Sequence, residues 1–135
     1  MTFEEIHPGM KASSNRLISR DFVRAFGRLV GDLNPMHMDA DYGKASQFGQ
    51  NIAHGMIGAS LISSMMASQL PGPGCVYMKQ ELVFLAPTFF NDTLTTSVEV
   101  IETIPEKRRV ILRTWCEKQT GEVVIDGKAT AYIPE

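Results

Sequence analysis

The hydrophobic period of the chain changes half-way along it. After Ser19, the apolar residues Phe22, Val23, Phe26, Leu29 and Val30 recur at helical spacing. Ser19 itself suits an N-cap, since its hydroxyl can accept an orphan backbone N–H. This helix has to stop before Asn34-Pro35, because the residue preceding a proline is pushed out of the α region. A second helix is predicted over Gly55–Leu70. Leu61, Ile62, Met65 and Met66 give it an apolar stripe, while Gly58, Ala59, Ser60, Ser63 and Ser64 keep the rest slim. A helix with no charge on any side is expected to be enclosed by other structure.

Beyond Val76 the period is two. Val76, Met78, Leu82 and Phe84 share one face of a strand, and Leu94, Val98 and Val100 alternate with Thr95, Ser97 and Glu99. Val110 and Leu112 alternate with Arg109 and Arg113. Val123, Ile125, Ala129, Ala131 and Ile133 alternate with Asp126, Lys128 and Thr130. Turns are expected at Asn91-Asp92, Pro105-Glu106-Lys107 and Gln119-Thr120-Gly121. A weaker alternation over Lys11–Ile18 adds a short first strand. Strands with one apolar face and short turns form an antiparallel sheet, so the chain is expected to be α+β, with a sheet of about five strands wrapped around one long helix.

Composition narrows the function classes. At 135 residues and 15.0 kDa the chain fits one domain, residues 1–135, large enough to fold without a metal or disulfide staple. Thirteen Lys and Arg against fifteen Asp and Glu leave a formal charge of -2, which removes the bulk electrostatic argument for nucleic acid or an anionic membrane. Residues 45–78 carry no Asp, Glu, Lys or Arg, yet serines interrupt the apolar run and Pro71 and Pro73 end it. A span needs about 20 mostly apolar residues, so a buried helix is expected here. Cys75 and Cys116 lack CxxC spacing and are read as inert thiols in a reducing compartment. The acidic start Met-Thr-Phe-Glu-Glu has no apolar leader, so the cytoplasm is the expected location.

Candidate chemistry sits in Gly31-Asp32-Leu33-Asn34-Pro35-Met36-His37-Met38-Asp39. Asp32 and His37 could converge on one substrate atom if the Asn34-Pro35 turn folds the chain back, and an Asp/His pair suits acid–base work near neutral pH. By spacing alone the two residues would equally suit a solvated loop. A calcium loop is excluded, because Met36 and His37 stand where an oxygen ligand and a glycine are required.

Gly-Asp-x-Asn-Pro-x-His, followed by His54-Gly55-Met56 at the start of an uncharged helix, resembles the MaoC-like hydratase family, and within it the (R)-specific enoyl-CoA hydratases. The resemblance runs from Pro8-Gly9 through the Val76-Tyr77 strand to the alternating C-terminal strands. It implies a hot-dog fold, a homodimer and no cofactor or metal. It also implies reversible addition of water to a trans-2-enoyl thioester, giving the (R)-3-hydroxyacyl product. Asp32 and His37 match the catalytic pair and Asn34 the polar residue between them. Gly55 matches the glycine whose N–H faces the thioester oxygen, and Ser63 falls where the family has a hydroxyl near the pair. Val30, Met36 and Gly43 depart from the family pattern, which bears on pocket shape rather than on a reacting group.

The remaining candidates have plainer readings. His54 is expected to make a structural hydrogen bond and His7 to lie at the surface. Trp115 and Tyr132 are read as core or interface residues. Arg20, Arg24 and Arg28 form a helical stripe and Lys107-Arg108-Arg109 a hairpin-tip cluster, both read as solvated faces that could still guide an acidic partner. The expected partner is an acyl-CoA or acyl carrier protein thioester. A 3-hydroxyacyl-[acyl carrier protein] dehydratase and a non-catalytic acyl-binding subunit stand as alternatives.

Overall fold

The computed structural model describes residues 1–135. The period-two segments form one antiparallel sheet in the order β1-β3-β4-β5-β2. These strands are β1 (Lys11–Ile18), β2 (Val76–Phe84), β3 (Asp92–Ile104), β4 (Arg109–Glu117) and β5 (Val123–Tyr132). The helices are α1 (Arg20–Val30), α2 (Pro35–Met38), α3 (Ala40–Ala45) and α4 (Gly55–Ser68). None is long and apolar enough to cross a membrane. The weak alternation near the N-terminus is a real strand, paired along β3 from Lys11↔Glu99 to Ile18↔Asp92.

The uncharged helix α4 packs against β3 and β4. It buries Ile57, Gly58, Ile62, Met65 and Met66 in one core with Val98, Val100, Val110, Leu112 and Ala129. Each fully buried aliphatic side chain there contributes about 1.5–3 kcal/mol. Helix and sheet approach so closely that a Cβ on Gly58 would stand 2.2 Å from Ile125 Cδ1. Enclosure is one-sided, however: Met56, Ser60, Ser63 and Ser64 remain exposed within the single chain. Ser60 and Ser68 satisfy their hydroxyls by donating to the carbonyls of Met56 and Ser64, at 2.9 and 2.7 Å.

Three expectations need correction. The stripe of α1 is buried only in part, with Val23 fully covered but Leu29 86% and Val30 57% exposed. Nothing in the chain lies over the last turn, which Gly31 ends in the left-handed region at φ 80°. On β2 the register shifts between Tyr77 and Lys79, so a period-two count begun at Val76 changes face there. Tyr77 and Leu82 pack on the core, while Val76, Met78 and Phe84 are about half exposed. Trp115 is buried, as expected, with Arg113 and Lys11 cations over its ring at 4.1 and 5.1 Å. At the hairpin tip Arg108 is tied down, donating through Nε to the Ile133 carbonyl at 2.9 Å and pairing with Glu4 at 3.3 Å.

Helices α2 and α3, which periodicity did not reveal, occupy the polar segment between the two long helices. Asn34 caps α2 by accepting from the Met36 N–H at 3.1 Å, with Pro35 at the first helical position. Asp39 then caps α3, accepting from the N–H groups of Asp41 and Tyr42. The Asn51 amide crosses over both and donates to the Met36 and Asp39 carbonyls, each at 2.8 Å. Gly43 makes room for it, since a Cβ there would lie 2.6 Å from both the backbone and amide nitrogens of Asn51. The departure of Gly43 from the family pattern thus goes with the packing of Asn51.

Candidate active site

Chain geometry brings the candidate residues together in steps. Gly31 ends α1, Asp32 and Leu33 cross to the Asn34 cap, and α2 turns back so that His37 faces its own approach. The Asn34 N–H donates to Asp32 Oδ1 at 3.3 Å, a local bond that restrains an otherwise exposed carboxylate. Side-chain ligand atoms of Asp32, His37 and His54 lie within 4.8 Å of one another.

His37 is oriented from the far side. Its Nδ1–H donates to the Ile52 carbonyl at 2.6 Å, which leaves the Nε2 lone pair free. That carbonyl is itself held by the sheet side of the molecule. Ile52 bridges Phe89, the Ala53 N–H donates to the Thr88 carbonyl at 2.7 Å, and the Phe89 N–H donates to Asp92 Oδ2 at 2.8 Å. Asp92 pairs with the almost buried Lys118 at 3.2 Å and accepts from Gln119 at 2.9 Å. Burial pushes the Asp92 carboxyl up, but the bonds from Gln119 and Phe89 and the Lys118 charge outweigh it and leave it below the usual carboxylate range.

Burial is also the largest influence on His37, and it lowers the imidazole below its ordinary pKa. Nearby His54 acts in the same sense, while the Ile52 carbonyl and the Asp32 charge oppose it. At pH 7 His37 is therefore a neutral ring with an open acceptor nitrogen.

His54 is 3% exposed, and its Nε2–H donates to the main-chain carbonyl of Asp32 at 2.9 Å. The His37 and His54 rings stack with centroids 4.0 Å apart and planes 34° apart. Gly27 lets α1 reach this cluster: a Cβ would lie 2.9 Å from the Asp32 carbonyl and 3.2 Å from His54 Cε1.

Beside the trio opens a cavity of about 520 Å³, walled mainly by apolar residues including Ile18, Phe48, Ile52, Leu94 and Ile125. His37, His54 and Gly55 reach its surface. Gly55 is the first residue of α4, so its N–H has no partner within the helix and meets the positive end of the dipole. The Phe84 ring lies against it, 2.7 Å from where a Cβ would be, so a larger residue would have to displace that ring. Asp32 and Asn34 stand beside the cavity, not in its wall, and Ser63 is on the exposed side of α4 further along the helix. His7 is exposed, as expected. Sequence reasoning missed the Ile52 carbonyl, which carries no side-chain signal. It also missed Asn51, whose side-chain amide does not stand out from those of Gln47 and Gln50 beside it.

Comparison with known proteins follows the same lines. A family model described as a MaoC like domain matches residues 3–122. An (R)-specific enoyl-CoA hydratase of Rhodospirillum rubrum is 42% identical, over 98% of this chain and 91% of its own. A mitochondrial 3-hydroxyacyl-[acyl-carrier-protein] dehydratase of Solanum lycopersicum is 35% identical, over 88% of this chain and 72% of its own. Among solved structures, the unliganded R-hydratase of Pseudomonas aeruginosa superposes with a TM-score of 0.94 at 40% identity, over 99% of this chain and 86% of that one. On the family match, the identity to these relatives and the superposition, the chain belongs to the MaoC-like domain family with the hot-dog fold.

Proposed function

We propose that the protein is an (R)-specific enoyl-CoA hydratase in which Asp32 and His37 act as one acid–base pair on a single water. The observation that carries this reading is the free Nε2 of His37 beside the Asp32 carboxylate, at an apolar cavity that also receives the unpaired N–H of Gly55. The cavity suits an acyl chain, and its one helix N-terminus suits the thioester oxygen.

Proton accounting follows from the hydrogen bonds. The Nδ1–H of His37 is committed to Ile52 and its Nε2 is bare, so the pair begins with no spare proton. Water therefore gives up a proton to the pair as its oxygen bonds to the β-carbon. The alkene electrons move onto the thioester oxygen, where the Gly55 N–H stabilises the charge; losing a donor of this kind costs about 2.7–4 kcal/mol of barrier. As the carbonyl re-forms, the α-carbon takes the same proton back. Hydroxyl and hydrogen arrive on one face, a syn addition. Asn34 supports the reaction by holding the turn that brings the pair together.

Dehydration of a 3-hydroxyacyl group on an acyl carrier protein uses the same atoms in reverse, and the Solanum lycopersicum relative supports it as a second reading. The ratio of kcat/KM for the two carriers separates them. Two free thiols, Cys75 and the buried Cys116, agree with a reducing compartment such as the cytoplasm.

A homodimer is part of the proposal. Edge strand β1 is blunted by Lys11, Asn15 and Arg16, whereas edge strand β2 leaves Val76, Met78, Val83 and Phe84 about half exposed. Pairing through β2 would cover them. Light scattering at micromolar concentration should give twice the 15.0 kDa chain mass, and a monomer would reject the pairing.

Mixing the protein with crotonyl-CoA should produce an enzyme-proportional loss of the conjugated absorbance and an (R)-3-hydroxy product by chiral chromatography. No turnover, or an (S) product, would refute the assignment. The rate should also depend on pH with a definite sign. Protonation fills the Nε2 lone pair, so kcat/KM for hydration should fall on the acid side, with a midpoint below the ordinary histidine value of about 6.5. A midpoint clearly above that value would contradict the buried, neutral His37.

A further inference from the structure

One chemistry-bearing side chain near the pair has no part in the steps above. His54 lies between the Phe26 ring, at 5.2 Å between centroids, and the His37 ring, at 4.0 Å. With its Nε2–H donated to the Asp32 carbonyl, the ring has its lone pair on Nδ1, which is buried and has no partner. A residue present only to fill this slot would be apolar, because a phenyl ring carries no buried nitrogen in need of a partner. The imidazole is kept, orphan nitrogen included, for the bond it does make. That bond holds the main chain of the residue that carries the carboxylate, while the face of the same ring holds His37. Gly27 marks the same contact from α1, since a Cβ there would press on both ends of the Asp32–His54 hydrogen bond.

We propose that His54 is a positioning residue, setting the separation of the Asp32 carboxylate and His37 Nε2 through its hydrogen bond to the Asp32 carbonyl and its stack on the His37 ring. The proposal rests on the reading of Asp32 and His37 as the reacting pair. Among the groups facing His54, only Asp32 and His37 are titratable; α1 contributes Phe26 and Gly27.

His54→Gln keeps an amide nitrogen near the Nε2 position, His54→Asn is too short to reach the Asp32 carbonyl, and His54→Phe keeps the ring without a donor. With crotonyl-CoA, the Phe and Asn variants should lose roughly 10–100-fold in kcat with KM within about twofold, the scale of a misplacement of about 1 Å. His54→Gln should recover most of that loss. Thermal melting should not track activity across the Phe, Asn and Gln variants. A folded Phe variant with parental kcat, or a Gln variant no better than Asn, would overturn the role; if Phe does not fold, the Gln and Asn pair decides. A titration of the His37 ring by NMR gives a readout independent of turnover. Asp32's charge raises the His37 pKa, so the midpoint should be lower in His54→Asn, where the carboxylate has drifted, than in His54→Gln. Equal midpoints would overturn the positioning role even if the parent protein hydrates no enoyl thioester, a result that would instead refute the function proposed above.

Discussion

The site depends on one hydrogen bond, from His37 Nδ1–H to the carbonyl of Ile52. It decides which ring nitrogen is free, and so decides that the imidazole presents an acceptor to the cavity. A backbone carbonyl can do this only if it is rigid. Ile52 gains that rigidity from the bridge to Phe89, which is tied in turn to Asp92 and the almost buried Lys118 charge. Breaking a buried pair of this kind leaves an uncompensated charge and costs about 3–5 kcal/mol. The polar network at the end of β3 and β4 and the proton chemistry at α2 are thus parts of one chain of contacts.

The uncharged helix supplies the other half of the arrangement. Close packing at Gly58 sets α4 deep against the sheet, and its first residue, Gly55, lines the cavity. At both points a Cβ would run into a facing side chain, Ile125 at one and Phe84 at the other. The serines on the opposite side keep the helix narrow and uncharged.

Much of this was legible in the sequence because it rests on periodicity. Ser19 as a cap, the stop before Asn34-Pro35, the uncharged helix and the order of alternating strands all follow from local rules that the packing obeys. Failures fall where one residue changes the count or where the neighbour is remote. A bulge after Tyr77 reverses the facing of β2, and an open end of α1 leaves Leu29 and Val30 uncovered. The Asp32/His37 motif was visible by resemblance, but its orientation was not. Ile52 acts through its main chain, the Phe84 ring through its shape and Asn51 through an amide whose carbonyl partners are main chain, and none of these leaves a pattern in a linear string.

The central claim is that Asp32 and His37 work on one water as a unit. A double-mutant cycle tests it directly, using Asp32→Asn, His37→Gln and the pair together with crotonyl-CoA. Each single change should lower kcat by roughly 10²–10⁴. Since each group is useless without the other, the double variant should be hardly slower than the poorer single one, with little change in melting temperature. Folded single variants with near-parental rates, or losses that simply multiply, would contradict the shared water.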